Sequence, residues 1–403
     1  MSEIFLFIGY NCKHDPNGII ERGIFLKKIV QTILHLVLIL LILAGIGAGG
    51  YYGYQWWQKE QMLKERPKVI TTKDGTSISP AWHNWNNYQK TLRQNYSFIN
   101  KVSNYVPPMT WDGKDVVIPG LISTKSYDFV TKKYDTTAAM TPQGIAVVSK
   151  YILLTAYDGN HTHASVIYVL DKKSGKYIKT IQVSGRPHLG GIAYDPVAKN
   201  IWVTSKMGKS SALASFSLKE MKAYKAGSQM PIKYNHQIAI PAVEKASTVT
   251  YYDGQLFVGF FNMYGRGKVA AYTIARSGKN KGSITNNEIK SVTGTLQWSD
   301  PTGETTMDKQ IQGIAIYQDK IFLSQSYGSK NSKLYVFPTT ALNNLDEKNA
   351  ELIIELPPYL EQITAYKGQL LCVFESGSKI YARPDIMVMD RILSLNINAL
   401  FGS

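Results

Sequence analysis

Asp158, His161, His163 and His188 are the side chains whose types and spacing come nearest to a site for chemistry. Carboxylate and imidazole ligate transition metals, and His161-Thr162-His163 offers two imidazoles from one loop. The same residues also serve polar loops as turn-formers and hydrogen-bond partners, so both readings stay open. Glu375 and Asn262 add an acid and an amide of the kinds that hold a divalent cation. The sequence has no GxSxG nucleophile elbow, no phosphate-cradling P-loop, no CxxC pair and no CxxCH haem-attachment motif. The expectation is a protein without a resident cofactor, a divalent cation being the alternative, and a binding role ahead of a catalytic one.

Charge narrows the partners. The formal net charge is +16, which attracts polyanions: nucleic acid, anionic lipid or a phosphate-rich wall polymer. Lys and Arg are scattered with no Arg-rich tract, so nucleic acid is not expected as a partner. Lys172, Lys173, Lys176 and Lys179 cluster on one hairpin, and Lys206, Lys209, Arg266 and Lys268 lie in loops. Either set could meet the phosphates of an anionic wall polymer, or be a solvated basic surface. The two cysteines, Cys12 and Cys372, flank a long apolar run, so no internal disulfide is expected. A large exported domain without disulfides fits a bacterium, and the expected setting is a Gram-positive cell envelope.

The elements that position these residues repeat. A small-residue strand followed by a bulkier one recurs with its Ile or Val at 145, 192, 249, 314 and 363, at spacings of 47, 57, 65 and 49. Examples are Gly144-Ile145-Ala146-Val147 leading to residues 151–155, and Gly313-Ile314-Ala315-Ile316 leading to 320–324. Third strands are expected at 166–171, 269–272 and 334–337, and a fourth at 177–181. Four antiparallel strands per unit of this length describe a β-propeller blade. Five copies are visible, and a sixth has room near 220–245 or 275–305. Residues 116–134 are expected to add an outer strand to the last blade, beside 392–395, closing the ring.

The run PQGIA…YILLTAYD…SVIYVLDKKSGKYIKTIQVSG, followed by HLGGIAYDP…NIWVTS, resembles exported bacterial β-propellers of the surface-antigen, lactonase-like and strictosidine-synthase-like superfamily. The resemblance covers residues 115–403. It implies an all-β propeller, a fold that hosts binding modules, scaffolds and several enzymes. In such a blade the loop into strand one and the loop between strands two and three share the ligand face. The expected ligand-binding residues there are Gln143, Asp158, His161, His163, Arg186, His188, Asn262, Arg266, Gln312, Tyr327 and Glu375. Two residues before each repeated Ile or Val stand Gln143, Gly190, Ser247, Gln312 and Glu361, expected to ring the mouth of the central channel.

Upstream, residues 29–50 are almost wholly apolar, and about 20 such residues cross a bilayer. Lys27 and Lys28 precede the run, and Tyr51, Tyr52, Tyr54, Trp56 and Trp57 follow it as an interfacial aromatic belt. The expected organisation is a cytoplasmic segment (1–28), a transmembrane helix (29–50), a juxtamembrane linker with an amphipathic helix (51–114) and an extracellular propeller (115–403). The linker should run over 58–78, and the helix should start at Ser79-Pro80 with Trp82, Trp85, Tyr88, Leu92, Tyr96, Ile99 and Val102 on one face. Gly45, Gly49 and Gly53 share a face of the membrane helix and could mediate a homodimer. The expected function is a membrane-tethered, cell-surface binding or scaffold module for an envelope protein or wall polymer. The alternative is an extracytoplasmic propeller hydrolase or lactonase with an acidic and His site on the same face.

Overall fold

The structure is a computed structural model describing residues 16–103, 115–242, 245–298, 306–342 and 344–402. The chain divides between Gln61 and Met62 into two compact units. The first is helical. Helix α1 (Pro16–Lys64) carries the apolar run, and its stretch from Lys27 is long and apolar enough to cross a membrane. Side chains there are exposed, Leu40 at 65% and Ile46 at 66%; water disfavours such surface and a bilayer interior solvates it. The helix runs past Gly50 through the aromatic residues, where Tyr54 and Trp57 stack with centroids 6.1 Å apart. Gly45, Gly49 and Gly53 lie within it, with open space where a Cβ would stand. Cys12 lies outside the described residues, and Cys372 is a buried free thiol.

The second unit is a five-bladed β-propeller. Blade 1 comprises Met140–Val148, Tyr151–Asp158, Val166–Asp171 and Tyr177–Gln182; blade 2, Ile192–Asp195, Asn200–Met207, Ser210–Ser217 and His236–Ala239. Blade 3 comprises Ala246–Tyr252, Gln255–Phe260 and Gly267–Thr273, with Thr306–Met307 and Asn344–Leu345 on its edge. Blade 4 comprises Ile311–Tyr317, Lys320–Gln325, Ser332–Pro338 and Leu352–Leu356, and blade 5 Leu360–Tyr366, Gln369–Phe374 and Leu393–Asn396. Each first strand touches those of both neighbouring blades, so the five close a ring. The repeated Ile145, Ile192, Val249, Ile314 and Ile363 are all at most 2% exposed, packed between blades. The two intervals with room for a sixth blade hold other elements. Residues 236–239 are the outer strand of blade 2, and Asn286–Trp298 is a helix beside blade 3.

Ring closure differs from expectation in extent. Residues 116–118 pair with 390–392: Ile118 N donates to Asp390 O at 3.0 Å and Ile392 N to Val116 O at 2.8 Å. The rest of the expected strand turns away. Thr124–Asp128 and Lys133–Thr137 form their own hairpin, held to blade 1 by Tyr127 N on Gln182 Oε1 and by the Thr124–Tyr168 hydroxyl contact.

Of the segment expected as linker and stalk, residues 51–61 continue α1 in the first unit, residues 62–103 belong to the propeller unit, and 104–114 lie outside the described residues. Thr71 and Ser77 pair across a turn, and Ser77 N donates to Ser123 O. Ser79 is not a helix cap: its hydroxyl accepts from Ile70 N. The helix starts one turn later as α2 (Trp85–Asn95), capped by the Asn84 side chain accepting from Asn87 N, and breaks at Tyr96 before α3 (Ser97–Ser103). Its apolar face packs as the periodicity predicts. Tyr88, Leu92, Ile99 and Val102 are at most 1% exposed and join Phe322, Leu334, Leu370 and Phe374 in one core. The entry to α2 is fastened by Asp390, which accepts from Trp82 N and His83 N and pairs with buried Arg391. The Arg391 guanidinium lies 4.7 Å from the Tyr88 ring centroid.

Candidate functional site

The axis of the ring is crowded enough to dictate residue types. A Cβ on Gly191 would stand 2.3 Å from Val249 N, and one on Gly313 2.8 Å from Ile363 N. The fifth repeat has Gln362 where others have Gly144, Gly191 and Gly313. Its amide fills the space those glycines leave. Gln362 Oε1 accepts from Ile145 N (3.2 Å) and Ile192 N (2.9 Å), and Nε2 donates to Ile192 O (2.9 Å) and Val249 O (2.8 Å). One side chain from blade 5 thus ties blades 1, 2 and 3 together and plugs the channel. Strand-two hydroxyls add links to the next blade: Thr155 donates to Leu189 O and Ser324 to Glu361 O. Blade 3 has Gly259 at that position, and Ser247 takes over, its hydroxyl contacting both Gly259 O and Ile311 O.

Above the plug the inner strands open into a bowl. Four of them have a register shift against strand two, spanning Gln143, Ser247, Gln312 and Glu361. A bulge re-aims a side chain, and three of these four line a cavity of about 810 Å³. All five blades contribute to its wall: Tyr157, His188, Lys206 and Lys209, Lys245 and Phe261, Gln312 and Tyr327, and Tyr359, Glu361, Glu375 and Tyr381. Tyr359 holds φ at +66°, a left-handed conformation rare for an aromatic residue, and its carbonyl accepts from Glu375 N at 3.0 Å.

Glu361 and Glu375 meet at the floor as a hydrogen-bonded carboxyl pair. Gln143 lies behind them, donating from Nε2 to Glu375 Oε2 at 3.0 Å. Burial, then the neighbouring Glu375 charge, holds the Glu361 carboxyl well above the usual carboxylate range, and burial pushes Glu375 up to about 8. At neutral pH the pair therefore keeps a shared proton and one negative charge at most. Tyrosines surround it: Tyr359 and Tyr381 lie with centroids 5.1 Å apart, and the Tyr381 hydroxyl is 3.4 Å from that of Tyr157. His188 packs on Tyr157 at 4.2 Å. Its side chain is exposed to the cavity, and the surrounding wall, which thins the water around it, with His161 and Lys206 adding repulsion, lowers its pKa to about 4, so it is neutral at pH 7.

The expected ligand face divides. His188, Gln312, Tyr327 and Glu375 line the bowl, and Gln143 supports its floor. Asp158 instead organises a turn: it accepts from Thr137 Oγ1, Thr162 N, Thr162 Oγ1 and His163 N. Those bonds hold its carboxyl below the usual range against the opposing pull of burial. His163 faces Thr162 and Asp158, and His161 stacks on Tyr157 with ring centroids 5.4 Å apart. Arg186 donates to His161 O and covers Phe129. Asn262 closes its own loop by accepting from Tyr264 N and Gly265 N, and Arg266 pairs with Asp346. Among the described residues no group of three or more His, Cys, Asp or Glu side chains converges as a metal site. The expected basic hairpin is partly consumed as well: buried Lys179 donates to Met221 O, Lys222 O and Tyr224 O.

Three solved structures similar to this chain are hydrazine synthase of Kuenenia stuttgartiensis, a nidogen/laminin complex and the Dos1 propeller. The first is 11% identical, over 59% of this chain and 56% of that one, with a TM-score of 0.32. The second is 12% identical over 67% and 94%, at 0.34, and the third 12% identical over 70% and 64%, at 0.31. The chain spans little more than half of the hydrazine synthase chain it matches. Likenesses this distant carry no functional argument. No protein-family model and no curated protein matches the sequence.

Proposed function

We propose that the protein is a membrane-tethered binding module at an extracytoplasmic surface, whose bowl holds a ligand of the cell envelope. The observation that carries this reading is the bowl: a cavity lined by all five blades, closed below by Gln362 and walled by aromatic and ionisable side chains. Such a site receives a ligand end-on and gives it no path through the ring. Lys27 and Lys28 before the apolar helix support a cytoplasmic N-terminus, and although Lys59, Lys64, Arg66 and Lys68 follow it, a body this large is translocated regardless of such charge. A Gram-positive wall polymer or another envelope protein supplies the ligand, and the basic rim favours the polymer. In isothermal titration of the full chain in non-ionic detergent, soluble wall-polymer fragments should bind saturably, and Tyr327→Ala should weaken binding at least about 5-fold. Equal affinity for both chains would remove the bowl as the site.

The hydrolase reading retains one specific support, because a carboxyl titrating near neutral pH suits general acid–base chemistry. Turnover of lactones by the full chain, abolished by Glu375→Gln, would favour it over binding alone.

A further inference from the structure

The bowl has two chemically different poles. On one side lie the carboxyl pair and Tyr157, Tyr359 and Tyr381, and the Glu375 charge acts on all three phenols. On the other side Lys206, Lys209 and Lys245 are exposed at the wall, and among the described residues none of them pairs with a carboxylate. Neutral His188 stands between the poles, close enough to Lys206 to be repelled by it. A simple polyanion satisfies only the basic side and would bring its charge towards the floor carboxyls. A simple cation satisfies only the floor. Aromatic faces beside a carboxyl pair that gives up a proton when a cation approaches suit an ammonium group, through cation–π and Coulomb attraction together. Unpaired lysines suit phosphate oxygens.

We propose that the bowl selects a ligand bearing an ammonium group and a phosphate at separate ends. The ammonium lies against Glu361, Glu375 and the three tyrosines, and the phosphate against Lys206, Lys209 and Lys245. This deepens, and rests on, the assignment of the bowl as the ligand site. The chemistry is shared by a zwitterionic lipid headgroup and by an amine-substituted phosphate polymer. Binding has a proton signature. The groups facing the carboxyl pair are the neutral Gln143 amide and the three phenols, so an incoming ammonium is the one new positive charge there. It favours the ionised pair, and binding near pH 7 should release a proton.

The test is calorimetry of the full chain in non-ionic detergent with phosphocholine, choline and inorganic phosphate as probes. Phosphocholine should bind at least about 10-fold more tightly than either half, with proton release seen by comparing buffers of different ionisation enthalpy. Glu361→Gln with Glu375→Gln should remove the advantage over phosphate and the proton release. Lys206→Ala with Lys209→Ala should remove the advantage over choline. Competition by phosphatidylcholine vesicles would place the source in a bilayer; competition by free probe alone would place it in a soluble or polymer-borne group. Phosphate binding as tightly as phosphocholine would overturn the two-pole proposal. If wall-polymer fragments still bound in a Tyr327-sensitive way, the bowl would stand as the ligand site; if they did not, both readings would fall.

Discussion

Gln362 makes four hydrogen bonds to three other blades from a buried site. Removing it leaves backbone groups of Ile145, Ile192 and Val249 unpaired, at about 1–3 kcal/mol each. Gln362→Leu should therefore lower unfolding stability by at least about 3 kcal/mol, read from the denaturant midpoint. Glu375 acts in the opposite sense. Its folded-state pKa is raised to about 8, so the folded state binds more protons than the unfolded one between the ordinary carboxylate range and pH 8. Stability falls as pH rises through that window and levels off above it. Glu375→Gln removes the penalty, and should raise Tm by roughly 2–4 °C at pH 8 and by little at pH 5. The position of Glu361 at the channel mouth was legible in the sequence from its place before the repeated Ile363. Gln362, the next residue, was not singled out, because its role needs the close approach of inner strands that only the ring reveals. The Asp158 and His163 cluster left two readings open because a short polar loop and a metal site draw on the same residue types.

At the scale of elements, strand periodicity located every blade, since each inner strand is small-residued and each second strand bulky. The entry helix was harder. Its apolar face was plain, but Ser79-Pro80 imitates a helix start, and the preference was overridden when the Ser79 hydroxyl was taken by Ile70 N. What fastens α2 is distant in sequence: Asp390 and Arg391 sit just before Leu393–Asn396, the strand that closes blade 5. Asp390→Ala leaves buried Arg391 without its partner and should cost about 3–5 kcal/mol. It should also expose the amides of Trp82 and His83 to hydrogen exchange. Normal exchange protection there would show that α2 is held by packing alone. The bulges of the inner strands were invisible beforehand, because they depend on register against the neighbouring strand and leave no compositional mark.

The whole molecule joins an apolar helix with exposed side chains to a closed propeller whose bowl opens on the axis above the Gln362 plug. Under the proposed function, tethering would confine the bowl's ligand to the membrane's vicinity, where a modest affinity suffices because the local concentration is high. The most direct measurement uses Tyr327→Cys, which puts a thiol on an exposed part of the bowl, with Cys372 buried. A membrane-impermeant maleimide applied to intact cells should label position 327, and added wall-polymer fragments should slow that labelling several-fold. Labelling only after lysis, or at a rate the polymer leaves unchanged, would contradict an outward-facing ligand-binding bowl.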